Sequence, residues 1–139
     1  VPQKHFMLGQ AAVYRVAAEL LMRDIHPFFP SVDDGVDLFT EQGHAIQVKA
    51  ASRSKELRYH FNFRHWAKRD GRRVQVPNSI GPKVTHIVLW GVEDDAFWII
   101  PAKFCQTTKH ISVPSLHQNG RSRFNSCVSK WEYLSQKAR

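Results

Sequence analysis

Cysteine is scarce in this sequence. Its 139 residues hold two, Cys105 and Cys127, 22 positions apart and with no Cys-x-x-Cys or His-x-Cys companion. That excludes a zinc-ribbon site and a disulfide-dense scaffold; both are expected as free packed thiols, with a disulfide or redox role as the remaining readings. A chain of this length buries roughly two-thirds of the surface it exposes when unfolded, so neither crosslinks nor a structural metal is required to hold it together. The eight histidines form no His-x-x-x-His pattern, which leaves a histidine-based metal cage without support. No apolar run approaches the roughly 20 residues that span a bilayer, and no charged-then-apolar leader is visible, so a soluble, cytoplasmic (intracellular) protein is expected. Internal repeats, low-complexity tracts and linkers are also missing, and residues 1–139 read as a single domain.

Negative charge is the other shortage. Twelve Asp and Glu face twenty Lys and Arg, giving a net charge of +8. Basic chains seek anions, and a nucleic-acid backbone is one that fits. The two signs are also segregated. Between Asp24 and Glu41 stand five acids (Asp24, Asp33, Asp34, Asp37, Glu41) and no base. Between Arg53 and Arg73 stand eight bases, Arg53, Lys55, Arg58, Arg64, Lys68, Arg69, Arg72 and Arg73, against Glu56 and Asp70. An acidic pocket beside a basic apron suits a metal-dependent enzyme acting on a polyanion: acids hold the cation and bases hold the substrate. Two solvated loops are the plain alternative.

Periodicity predicts an amphipathic helix from about Leu8 to Arg23, with Val13, Val16, Ala17, Leu20 and Leu21 on one stripe and Arg15, Glu19 and Arg23 on the other side, spaced for ion pairing. Val36–Phe39 and His44–Lys49 read as a hairpin, the second strand placing Ala45, Gln47 and Lys49 on one face and Ile46 and Val48 on the other. Tyr59, Phe61 and Phe63 alternate with Arg58, His60, Asn62 and Arg64, a half-buried strand with a basic outer face. Val84–Trp90 reads as a central strand, Ala96–Ile100 as its successor, Ile111–Val113 as an edge strand and Lys130–Lys137 as a short closing helix. Helix, strands, helix is an α+β order, with the core expected between the first helix and a mixed sheet.

The hairpin carries the chemistry. Folding Asp37 against Gln47, Val48 and Lys49 brings a carboxylate, an amide oxygen, a main-chain carbonyl and an ammonium together. A divalent cation takes hard oxygen ligands, here Asp37, Gln47 and the Val48 carbonyl, and keeps positions open for water and phosphate. Lys49 then orients or deprotonates the attacking water, or neutralises charge on the phosphorus. Arg58 and Arg64 are candidates for phosphate contacts. Arg72 and Arg73, after Asp70-Gly71, sit either on a hairpin tip that enters a groove or on a solvated loop.

With an N-terminal helix, Gly35-Val36-Asp37-Leu38 as first acidic strand and Gln47-Val48-Lys49 nine residues on, the chain resembles the PD-(D/E)xK nuclease superfamily. It looks closest to its intron-associated homing endonucleases and Holliday-junction resolvases. The resemblance covers Leu8 to Pro101 and implies a restriction-endonuclease-like α/β core, dependence on Mg2+ (or Mn2+), and DNA as substrate. Three positions depart from the superfamily's pattern. Gln47 replaces the usual Glu or Asp, a substitution that some homing members share. Val36 stands where Pro is usual. The helical metal-site Glu of many members falls near Val13, which cannot bind metal; Glu19, between Arg15 and Arg23, reads as an ion-pair residue. Asp33 and Asp34 are either turn residues or metal support. The expectation is a divalent-metal-dependent DNA endonuclease acting as a homo-oligomer. A non-catalytic DNA-binding module derived from that fold is the alternative, and an RNA-directed nuclease is a third reading.

Overall fold

The first helix, α1 (Pro2–Met22), starts earlier than the periodicity predicts. Proline suits its first turn, where a missing N–H breaks no helical bond. Its end is built by Asp24, which takes a left-handed φ of 60°. The Ile25 N–H reaches back to the Leu20 carbonyl at 2.9 Å and the Asp24 N–H to the Leu21 carbonyl at 3.1 Å. This paired closure satisfies two otherwise orphaned carbonyls, and Ile25 packs into the same cluster as Leu20. The computed structural model describes residues 2–32, 34–63, 65–76, 80–116, 118 and 120–138, with backbone alone at 2–6, 65–68, 75 and 76.

The chain then forms β1 (Pro27–Phe28), β2 (Leu38–Thr40), β3 (Ala45–Ala51), β4 (Arg58–Asn62), β5 (His65–Arg69), β6 (Arg72–Val76), β7 (His86–Gly91), β8 (Ala96–Pro101), β9 (His110–Pro114) and the short helix α2 (Glu132–Ser135). Five strands make one mixed sheet in the order β1-β2-β3-β7-β8. β3 and β7 run parallel at its centre, and the other neighbours are antiparallel. The fold is therefore α+β, with an N-terminal helix on a mixed sheet, as the sequence predicts.

The core departs from expectation. One cluster does lie between the helices and the sheet, joining Val16, Ala17 and Leu20 to Ile46, Val88, Ile99, Trp131 and Leu134. A second and larger one lies on the opposite face, where Tyr59, Phe61, Ile111 and Val113 cover Ile87, Leu89, Trp98 and Ile100. The reason is in the strands themselves. Strands at a parallel centre are apolar on both faces, and both faces must be covered. β4 supplies the second cover by pairing antiparallel with β9, so the expected edge strand belongs to a separate layer. Leu21 also departs, being 56% exposed rather than part of the core stripe. The cysteines are free and buried, and burial pushes the Cys105 thiol up to about 11.

Two contacts lock these layers. Arg15 on α1 reaches Asp95 beyond β7 at 2.6 Å and holds Glu19 at 2.9 Å, while the Trp90 indole N–H donates to Asp95 at 2.8 Å. On the other face the Tyr59 ring presses on Gly91 so closely that a Cβ there would lie 2.8 Å from it. The Tyr59 hydroxyl accepts the Asp94 N–H at 3.0 Å, and burial raises its pKa to about 12. Among the described residues, no helix is long and apolar enough to cross a membrane.

Two predictions follow from this packing. Gly91→Ala forces the Tyr59 ring aside and should cost about 1–3 kcal/mol in urea denaturation, whereas Gly9→Ala, inside α1 and meeting nothing, should instead stabilise by about 0.5–1 kcal/mol. At the N-terminal ends of β3 and β7, His44 and His86 meet edge to face at 4.8 Å. Burial, and secondarily the charge of His44, lowers His86 from 6.5 to about 4. The unfolded chain therefore takes up a proton that the folded chain refuses, and stability should fall as pH drops from about 6.5 towards 4. Denaturation at pH 7 and pH 5 should show that loss in the wild type and a smaller one in His86→Gln.

Candidate active site

The site forms where one strand outlasts its neighbour. β2 is three residues long and β3 seven. The β2–β3 ladder runs through Phe39↔Ala45 and Leu38↔Ile46. One residue before β2, the Asp37 N–H still donates to the Ile46 carbonyl at 2.8 Å. The next bond to β3 is made by a side chain, because the Asp37 carboxylate accepts the Val48 N–H at 2.7 Å. Along a strand the backbone groups address alternate edges, so Ile46 and Val48 share the edge facing Asp37, and the Val48 carbonyl points to the same open side.

Gln47 and Lys49 alternate with these residues and project from the other face of β3. The Gln47 side-chain oxygen is buried. Lys49 is half-buried, with its ammonium 5.2 Å from the centre of the Phe63 ring. Burial lowers its pKa below that of an ordinary lysine, and the Asp37 charge works in the opposite direction. The Asp37 charge therefore reaches the amine, although the two side chains line different hollows.

Two hollows flank this edge. One, of about 390 Å³, is lined by Asp37 with Gln10, Val13, Tyr14, Phe29 and Val32 among others. The other, of about 1000 Å³, runs past Val48 and Lys49 to Ser52, His60 and Asn62, and α1 contributes Leu8 and Gly9 to it. Val13 therefore lines the same hollow as the acid. Gln10, one turn earlier, is a polar group that sequence reasoning missed. Its signal was its spacing, three residues before Val13 on the same face.

Other acids are committed elsewhere. Asp34 pairs with Lys83 at 3.2 Å, and Glu19 pairs with Arg15 and Arg23 at 2.9 and 3.2 Å, the ion-pair role expected of it. Asp33 lies outside the described residues. Among the described residues no three His, Cys, Asp or Glu side chains gather as a metal cluster. The oxygens expected from the sequence as ligands are one carboxylate, Asp37, and two neutral groups, Gln47 Oε1 and the Val48 carbonyl. These are hard ligands of the kind Mg2+ and Mn2+ accept, with a single formal charge among the three.

The basic residues divide into two groups. Arg53 is turned towards Asp94, with its guanidinium at 3.4 Å and its backbone N–H on Glu93. Arg58 folds over β9, donating to Ser112 Oγ at 2.7 Å and to the Ser112 carbonyl at 3.1 Å. Both make internal contacts. Lys55, Arg69, Arg72 and Arg73 are exposed. The last three stand on the β5–β6 ribbon, which among the described residues pairs with no other strand and turns through Asp70-Gly71 at φ values of 54° and 73°. Two left-handed residues in a two-residue loop give the tight hairpin turn whose twist matches its strands, and Asp-Gly suits it. Lys68 is in register with Arg73, and Arg69 with Arg72, so basic residues occupy paired backbone positions of the ribbon. Arg64 lies outside the described residues.

Helix, mixed sheet and acid-bearing strand edge define a restriction-endonuclease-like α+β fold. One similar solved structure is described as that of a bacterial homing endonuclease, I-Ssp6803I, and matches with a TM-score of 0.75 over 91% of this chain and 89% of that one. Sequence identity is 19%, a level at which the likeness is one of fold. No family model matches the sequence, and no curated protein matches it.

The sparse charge at β3 has a measurable consequence. Gln47→Glu adds a second anion beside Asp37 and should tighten Mn2+ binding in calorimetry by about tenfold or more. Asp37→Ala should abolish binding. Unchanged affinity in Gln47→Glu would place Gln47 outside the ligand set.

Proposed function

We propose that this chain is a divalent-metal-dependent endonuclease that hydrolyses DNA phosphodiester bonds. The observation that carries the reading is the strand edge at which the Asp37 carboxylate meets Val48, with Gln47 and Lys49 on the same stretch of β3. Asp37, Gln47 Oε1 and the Val48 carbonyl hold Mg2+ or Mn2+. When bound, the ion supplies positive charge against the scissile phosphate and acidifies water.

The chain's own groups divide the remaining work. The Val48 N–H fixes one carboxylate oxygen of Asp37 and so sets its orientation. Lys49, with its pKa lowered by burial, accepts a proton from the attacking water more readily than an exposed lysine's range allows; in its charged form it neutralises the developing phosphorane. The exposed cations of the β5–β6 ribbon bind phosphates, and a two-stranded ribbon is narrow enough to enter a major groove. Cutting both strands of a duplex most simply takes two such sites, so two copies of the chain act together.

A second reading rests on one specific observation. Gln47 and Val13 leave Asp37 as the single carboxylate facing this edge among the described residues, which suits a DNA-binding module that has lost catalysis. Incubation with supercoiled plasmid in Mg2+ or Mn2+ separates the two. The wild type should cleave, and Asp37→Ala and Lys49→Ala should each lose on the order of 10²–10³-fold or more in rate. Absence of cleavage with either metal, alongside intact salt-sensitive binding, selects the module, and cleavage confined to RNA overturns the assignment to DNA. In either case Arg72→Ala with Arg73→Ala should weaken binding across sequences and lower the slope of log affinity against log salt by about 2.

A further inference from the structure

The outer face of α1 carries a second apolar stripe. Met7, Ala11, Tyr14, Ala18 and Leu21 follow at spacings of four, three, four and three, and all five are exposed. That is the seam spacing of a coiled coil, and it lies on the side of the helix away from the core residues Ala12, Val16 and Leu20. The stripe contains no charged residue. At its flanks stand Met22, 83% exposed, Phe29 at 55% and Val32 at 66%, and the Tyr14 ring meets Phe29 at 5.6 Å.

We propose that this face binds a second copy of the chain, seam to seam. The inference rests on the reading above that two sites act together, and it names the surface that joins them. Two observations favour the same chain as occupant. The first is area. Met7, Tyr14, Leu21, Met22, Phe29 and Val32 each leave on the order of 100 Å² uncovered, which together approaches the roughly 800 Å² per partner of a standard specific interface. The second is charge. Two copies at +8 repel wherever their basic surfaces meet. The seam is uncharged, and the nearest guanidinium, Arg15, is already neutralised by Glu19 and Asp95. The basic ribbon belongs to β5 and β6, leaving it to the polyanion. Tyr14 lies at the middle of the seam and also lines the Asp37 hollow, so pairing places a partner at the rim of each site.

Sedimentation at tens of micromolar reads the proposal without any cleavage step. The wild type should run at twice the mass of the chain, and so should Asp37→Ala, which keeps a failed nuclease reading distinct from a failed interface. The double variant Ala18→Glu with Leu21→Glu alters exposed positions and should run as a single chain with an unchanged circular dichroism spectrum. As a second measurement, oxidised Tyr14→Cys should crosslink into pairs, because the native cysteines are buried. A single-chain mass for the wild type, both alone and with an uncut duplex, overturns the proposal. So does a two-chain mass that the double glutamate leaves intact. A monomeric wild type whose DNA affinity collapses in the double variant also overturns it and gives the seam to nucleic acid.

Discussion

A carboxylate takes over a backbone ladder where β2 leaves β3, and the candidate site depends on that substitution. A strand edge in the middle of a protein presents N–H and C=O groups that cannot stay unsatisfied. Asp37 answers the Val48 N–H with a side-chain oxygen. The neighbouring Val48 carbonyl then faces an opening instead of a partner strand. One requirement of backbone hydrogen bonding thus fixes the acid, orients it and exposes a second oxygen beside it. Lengthening β2 by two residues would close the ladder and the opening together.

The two-sided sheet gives this edge its electrostatic character. Gln47 and Lys49 project into the layer that β4 and β9 cover, so the amine sits against Phe63 in place of water. Desolvation disfavours its charge, and Asp37 partly restores it. The opposing layer, α1, is held by Arg15 and Asp95 and brings Gln10 and Val13 to the same edge. On the function proposed above, neutral residues at Gln10, Val13 and Gln47 would leave much of the negative charge that retains a cation to be supplied by a phosphate, so ion and polymer should bind together.

How much of this was legible in sequence depended on separation along the chain. Asp37 and Val48 share a hairpin, and local pairing was enough to join the Asp37 carboxylate to the Val48 N–H. The pairing of β4 with β9 joins Tyr59 to Val113, and no local pattern announces a contact of that range. Its omission is why the core was assigned to one sheet face. Leu21 was misplaced for a different reason. α1 carries two interleaved apolar stripes, one through Ala12, Val16 and Leu20 and one through Tyr14, Ala18 and Leu21, and hydrophobic periodicity alone does not say which faces the sheet. Gln10 was overlooked because an amide carries little signal until a neighbour such as Asp37 gives it a context.

The parallel pairing at the centre of the sheet also imposes an order on how the molecule is assembled. Ala45 and Thr85 are bonded across 40 residues, and everything from β4 to β6 must be threaded between them. The β2–β3 hairpin closes a short loop and can form within microseconds, whereas the β3–β7 junction carries the closure entropy of a long one. Nascent chains therefore make the acid-bearing hairpin well before they make the wall that stiffens it. During that interval the apolar β3 edge awaiting β7 is exposed to pairing with other chains, which makes this junction the natural starting point for aggregation at high expression.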